Sequence, residues 1–273
     1  MKYETLMYEK HDHVAVISLN RPQILNAINK KMVAEMDDAF ERVAEDNETR
    51  AVVLRGNGRA FCAGFDLKEE AIDIVGSTEE WLPRYEKGWQ IFFKLWSMSK
   101  PVVSAVQGYC YGGAFELMLV TDITIASEGT KFGMPEVRHA SGPGFGLLMY
   151  SIGSLKKIKE IMLLGDSIDA QEAKALGIVN EVVSEELLDK VALDTARRLA
   201  LIPPTTMALT KRYINDAVVD RGFSHGVANG LLMSTLMTAS KDYRDLENLR
   251  ATMGPERLRE FFQNREKEFQ RRV

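Results

Sequence analysis

Residues 101–127 read "PVVSAVQGYCYGGAFELMLVTDITIAS". Two β-branched runs, "PVVSAVQG" (101–108) and "ITIAS" (123–127), flank a turn containing Gly108, Gly112 and Gly113 and an apolar segment whose one carboxylate is Glu116. Short runs of Val and Ile bounded by turn residues read as buried strands. Strand, glycine turn, core helix and strand in succession are the ingredients of an α/β fold.

The pattern extends in both directions. "VAVISLN" (14–20) and "AVVLRG" (51–56) are further strands, and between them Met32, Met36, Ala39, Phe40 and Val43 recur at helical spacing behind a candidate cap, Asn29. A second helix is expected over about residues 84–98, with Trp89, Phe92, Phe93 and Trp96 on overlapping faces. After "GIVNEVV" (177–183) the chain turns helical, in "SEELLDKVALDTARRLALI", "TTMALTKRYINDAVVD", "GVANGLLMSTLMTAS" and "PERLREFFQNREKEF". The expected division is a core over residues 1–197 that carries the site, and a helical region over 198–273. Within the latter, "GLLMSTLMTA" (230–239) packs either inside the chain or against another subunit.

Composition narrows the function. At 273 residues, 45% hydrophobic and 27% charged, the chain matches ordinary globular proteins, and no stretch reads as a membrane span. With 35 basic against 39 acidic residues it has no global positive field for nucleic acid or anionic lipid. The beginning "MKYETLMYEKHDH" has neither a secretory nor a transit composition, so a cytoplasmic location is expected. Cys62 and Cys110 sit in small-residue apolar surroundings without a CxxC pattern and read as buried hydrophobes, with no metal site expected.

Of the familiar catalytic patterns, GxxxxGK[ST], GxGxxG and HExxH are absent, and no serine occupies a GxSxG elbow, which requires a turn from strand to helix. Carboxylate chemistry remains. Glu116 follows Gly113 by about one helical turn, so its side chain can lie near an anion held by the Gly113 N–H at the start of a helix. Glu136 lies in "KFGMPEVRHASGPGFG", where Pro135 stiffens its approach and the Gly/Pro-rich run suggests a loop over a pocket. Two acids at one pocket permit general acid/base work. The small-residue turn "GRAFCAGFDLKEE" (58–70) offers the Phe65 N–H as a second donor. His139, three residues past Glu136, can touch a substrate or tune that carboxylate.

In their order, "LNRPQILNAI" (19–28), "GRAFCAGFDLKE" (58–69), "KPVVSAVQGYCYGGAFELMLVTDITIAS" (100–127), "KFGMPEV" (131–137) and "AQEAKALGIVNEVV" (170–183) resemble the signatures of the crotonase, or enoyl-CoA hydratase/isomerase, family. The closing "FFQNREKEF" is similar to that family's last helix. The resemblance implies a crotonase-like spiral of ββα units with a helical C-terminal trimerisation region. It implies an acyl-CoA thioester whose carbonyl is held by the N–H groups of Phe65 and Gly113, with Glu116 and Glu136 as the acid/base pair. It further implies contacts to substrate or CoA from Ala63, Asp66, Leu67, Lys68, Leu25, Gly112, Pro135, His139 and Phe261. Hydration of an enoyl-CoA is the expected reaction, since retention of Glu116 favours hydratase over isomerase; thioester hydrolysis, C–C cleavage or a silent acyl-CoA-binding pocket are the other possibilities. No cofactor is implied beyond the CoA of the substrate, no nucleic-acid or membrane partner, and a homotrimer or dimer of trimers.

The chain departs from the family pattern at Gln23 and Asn264, where lysines are frequent, and at "PGFGLLMYSIG" (143–153), which replaces the usual PGAGGTQRLPR and is more apolar. Residues 73–90 fall in a variable segment, where Trp81, Tyr85 and Trp89 are candidates for an aromatic wall.

Overall fold

The computed structural model describes residues 3–67, 69, 77–142 and 144–269. Strand β1 (Leu6–His11) pairs antiparallel with β2 (Val14–Leu19), which lies parallel to β3 (Ala51–Gly56) across helix α1 (Lys30–Glu45). Asn29 caps α1 by accepting from the Met32 N–H, and Met32, Met36, Ala39, Phe40 and Val43 form its buried face, as the spacing predicts. The edge strand β1 was not legible in the sequence, because only Leu6 of its six residues is buried.

Helix α2 (Thr78–Ser97) begins six residues before the expected position. Ser77 and Glu80 form a capping box that starts the helix earlier, with Pro83 inside it. Next come β4 (Val102–Val106), β5 (Tyr109–Tyr111), helix α3 (Gly113–Leu119), β6 (Ile123–Ser127) and β7 (Lys131–Gly133). Helix α4 (Leu155–Leu164), β8 (Ile168–Asp169), α5 (Ala170–Ala175) and β9 (Glu181–Val183) complete the sheets. The main sheet runs β1-β2-β3-β4-β6-β9, parallel from β2 onward, and β5-β7-β8 form a small second sheet.

Strands covered on both faces account for the continuous apolar runs. Val14, Val16, Val53, Val103 and Ile125 pack under helix α6 (Glu185–Ala200), which presents Leu188, Ala192, Ala196 and Ala200. The alternate residues Ala15, Ile17, Val52 and Leu54 face the larger core with α1, α2 and α3. Helices α7 (Pro204–Asp220), α8 (Phe223–Thr238), α9 (Lys241–Ala251) and α10 (Pro255–Phe269) follow. Three of these four were expected; α9 was not, because its buried residues Tyr243, Glu247 and Arg250 form no apolar stripe. Among the described residues no helix is long and apolar enough to cross a membrane.

The "LNRPQILNAI" segment has a structural task. Leu25 and Asn26 both adopt the left-handed region, with φ of 55° and 56°. Fully buried Asn26 donates from Nδ2 to the carbonyls of Asn57, Ala60 and Phe61 at 2.9, 2.9 and 3.1 Å. Its Oδ1 accepts from the Arg21 N–H at 2.8 Å. Asn26→Ala removes these bonds and strands buried carbonyls, and asparagine tolerates positive φ better than alanine. The expected loss is about 2–4 kcal/mol of unfolding free energy, read from the denaturant midpoint. A loss below about 0.5 kcal/mol would contradict this role for Asn26.

Candidate active site

Segment 62–66 is held between two neighbours. On one side the Cys62 N–H donates to Tyr109 O and Cys62 O accepts from the Tyr111 N–H, at 3.0 and 3.2 Å. On the other, the Ala63 N–H donates to Leu25 O, Gly64 O accepts from the Ile28 N–H, and the Asp66 N–H donates to Ile28 O, at 2.9, 2.8 and 2.9 Å. Because successive residues of an extended chain face opposite sides, the bonds from Gly64 and Asp66 to Ile28 turn the intervening Phe65 N–H away from Ile28. Gly64 makes the bend at φ +94°, where an added Cβ would lie 2.8 Å from Tyr111 O and 3.6 Å from Gly113 N. Gly113 occupies the first position of α3, so its N–H has no acceptor within the helix. Phe65 and Gly113 both line one cavity of about 200 Å³.

The same cavity is lined by Glu116 and Glu136. Glu116, 1% exposed, accepts from the Phe145 N–H at 2.7 Å, with further amide donation from Gly146 and Leu147. Its carboxyl is nevertheless pushed well above the usual carboxylate range, by burial first and then by the charge of Glu136. Gly144, at φ +69°, has no room for a side chain: an added Cβ would lie 2.0 Å from Glu116 Oε2. The glycines of "PGFG" therefore allow the backbone to close over a carboxylate. Glu136 is carried by a short 3-10 turn, Pro135–His139, and its Oε1 sits so near Gly112 that a Cβ there would lie 2.5 Å away.

Of the residues expected to contact substrate or CoA, Ala63, Leu67, Gly112, Pro135 and His139 line this cavity. Asp66 lies instead on a neighbouring cavity of about 210 Å³ and pairs with Arg21 at 2.9 Å. Leu25 and Phe261 are on neither wall; Leu25 acts through its carbonyl on Ala63. Lys68 lies outside the described residues. Of the aromatic candidates, Trp81 and Tyr85 line the second cavity, and Tyr85, with Phe65 and Phe145, borders both. Trp89 is not on either wall: it packs on Phe145 and Phe223 with ring centroids 5.2 and 6.1 Å away. Tyr111, Tyr243 and Arg250 complete the main cavity without having been expected. The sequence signal for the last two is the i, i+4, i+7 row Tyr243, Glu247, Arg250.

Two carboxylates and two backbone donors around one enclosed volume can polarise a carbonyl and move protons beside it. Comparison with known proteins agrees with that chemistry. Residues 9–258 match the family model described as enoyl-CoA hydratase/isomerase. A probable enoyl-CoA hydratase of Rhizobium meliloti (strain 1021) is 36% identical over 80% of this chain and 84% of its own length. The short-chain-enoyl-CoA hydratase of Clostridium acetobutylicum is 34% identical over 79% of this chain and 82% of its own. The crystal structure of an enoyl-CoA hydratase/isomerase from Xanthobacter autotrophicus Py2 superposes with a TM-score of 0.93 at 34% identity, covering 99% of this chain and 100% of that one.

Proposed function

Because the chain belongs to the enoyl-CoA hydratase/isomerase family, we propose that it adds water across the 2,3 double bond of an enoyl-CoA thioester. The observation that carries this reading is that buried Glu116 and half-buried Glu136 share one cavity lined also by Phe65 and Gly113. The thioester oxygen is received by the Phe65 and Gly113 N–H groups, which stabilise the enolate that forms when the β-carbon is attacked. Glu116 takes a proton from water as the oxygen bonds to Cβ. Glu136 delivers a proton to Cα on the same face. One O–H bond of water is broken, one C–O and one C–H bond form, and no group leaves. The coenzyme A of the substrate is the only cofactor this chemistry requires.

The role assigned to Glu116 follows from its surroundings. Like charges in a poorly solvated site resist simultaneous ionisation, so the charge of Glu136 adds to burial in holding the proton on Glu116 to higher pH. Amide donation to Glu116 favours its ionised form, against the burial and the Glu136 charge that oppose it, and so suits it to the role of base.

Loss of the conjugated-thioester absorbance, with the 3-hydroxyacyl product identified by mass, tests the proposal. Release of free CoA without hydration would overturn it in favour of thioester hydrolysis, and a shifted double bond in favour of isomerisation. The same assay carries a pH prediction. Glu116 must be ionised to act as base, and its raised pKa means that it keeps its proton to higher pH than an ordinary carboxyl. The acid limb of kcat/KM is therefore expected to rise through a midpoint well above the usual carboxylate range. A midpoint near that of a solvated glutamate would contradict the role.

The homotrimer or dimer of trimers implied by the resemblance is supported by exposed apolar residues of α8, Leu232, Met233, Leu236 and Met237. A groove lined by Met233, Leu236 and Met237 also includes Val137, within the turn carrying Glu136, and Ala140, which ends that turn, so a neighbouring copy seated there would brace the site.

A further inference from the structure

Helix α9 buries a polar face: Tyr243, Glu247 and Arg250, one turn apart, are 4%, 2% and 5% exposed. A helix packed for stability alone would show apolar residues there, and a buried ion pair rarely improves on hydrophobic side chains of similar volume. The Glu247–Arg250 pair calls for another explanation.

Tyr243 and Arg250 reach the wall of the cavity that holds Glu116 and Glu136, and His139 lines the same wall. Arg250 pairs through Nη1 with Glu247, and its Nη2 lies 2.9 Å from His139 Nδ1. A guanidinium only donates, so Nδ1 is the acceptor and the imidazole proton resides on Nε2. Burial, followed by the charges of Arg250, Arg265 and Arg138, lowers the His139 pKa to about 4. The ring is thus a neutral donor of fixed tautomer at neutral pH. The cavity has two chemically distinct linings: a pair of carboxylates that handle protons, and a group containing His139, Arg250 and Tyr243 that is rich in hydrogen-bond donors.

Charge then selects between possible acyl groups. Glu247 already offsets the charge of Arg250, and the cavity contains two further carboxylates. A third carboxylate, on the acyl chain, would meet like charge in a poorly solvated space. A neutral carbonyl or hydroxyl oxygen accepts from the donor lining without that penalty.

Resting on the hydratase reading above, we propose that His139, with its tautomer fixed by Arg250, selects an enoyl-CoA whose acyl chain carries a neutral oxygen acceptor beyond the double bond. His139 is the specificity contact; Arg250 and Glu247 are positioning residues.

The test compares three enoyl-CoA esters of equal chain length, one all-alkyl, one with a ketone in the chain and one ending in a carboxylate. The wild-type enzyme is expected to favour the ketone over the alkyl ester by about tenfold in kcat/KM, the worth of one good hydrogen bond. His139→Phe, which keeps an aromatic ring but no donor, is expected to bring that ratio near one, whereas His139→Asn retains part of it. Arg250→Met alone would strand a buried carboxylate, so the positioning role is tested with the double variant Glu247→Gln/Arg250→Met, in which no charge is left unpaired. In that variant the ratio is again expected to fall, and the nitrogen chemical shifts of His139 to show a mixture of tautomers in place of Nε2–H alone. A wild-type ratio at or below one, a preference for the carboxylate ester, or a ratio that survives His139→Phe overturns the proposal. If none of the three esters is hydrated, the hydratase reading fails separately. The selection is then read from the calorimetric affinities of the same esters for wild type and His139→Phe, with the same ratio expected and the same outcomes overturning it.

Discussion

Glu136→Gln is expected to lower kcat by about 10²- to 10⁴-fold, the range supplied by a positioned proton donor, while a saturated acyl-CoA binds with nearly wild-type affinity. The two effects separate because the groups assigned to grip the thioester belong to the backbone. The Glu136 side chain lies against Gly112, where only a missing Cβ leaves space for it, and glutamine has the shape to occupy the same seat. What it lacks is a transferable proton of suitable acidity. Steady-state kcat alongside calorimetric affinity for the saturated ester checks this. A kcat within a few-fold of wild type would remove Glu136 from the chemistry, and a matching loss of affinity would make it a binding residue.

Gly113→Ala is expected to cost about 10²- to 10³-fold in kcat/KM, comparable to deletion of one oxyanion donor, although the N–H itself is retained. A side chain at this position would be expected to intrude on the ligand, but the structure locates a different obstacle. An added Cβ would lie 2.5 and 2.7 Å from Cε2 and Cδ2 of the Phe65 ring, closer than such atoms approach. The ring must move, so one substitution disturbs the packing between the two residues that carry the proposed donors. Gly153→Ala is the control, since an added Cβ there has nothing within 4 Å. Equal activity of the two variants would show that the Phe65–Gly113 contact is not needed.

The parts of the fold that were legible are those where local pattern and burial coincide. The apolar runs of β2, β3, β4 and β6 and the amphipathic face of α1 are such cases. Glu116 stood out because an ionisable group in an apolar helix calls for a partner, and the partners proved to be amides of the glycine-rich segment 144–147. Edge strand β1 and the true start of α2 escaped, the first because one face meets water and the second because a capping box starts the helix ahead of Pro83. Helix α9 escaped for a more instructive reason. Its buried side is built from Tyr, Glu and Arg; Glu247 and Arg250 pair with each other, and Arg250 meets His139 only once segments more than a hundred residues apart have come together. No local rule reads such a face as interior.

That late-arriving helix also bears on how the protein comes into being. The proposed donors are set by residues 25–28, 62–66 and 109–113, the acids by 116 and 136 and the loop 144–147, yet Tyr243 and Arg250 close the wall from the last eighth of the chain. A chain emerging from the ribosome N-terminus first can form the parallel sheet well before its catalytic chamber is complete. Until α9 docks, the chamber lacks part of its wall and His139 lacks its bond from Arg250. Acquisition of substrate preference, more than formation of the sheet, should therefore mark the end of folding, and a chain released early would be compact without being selective.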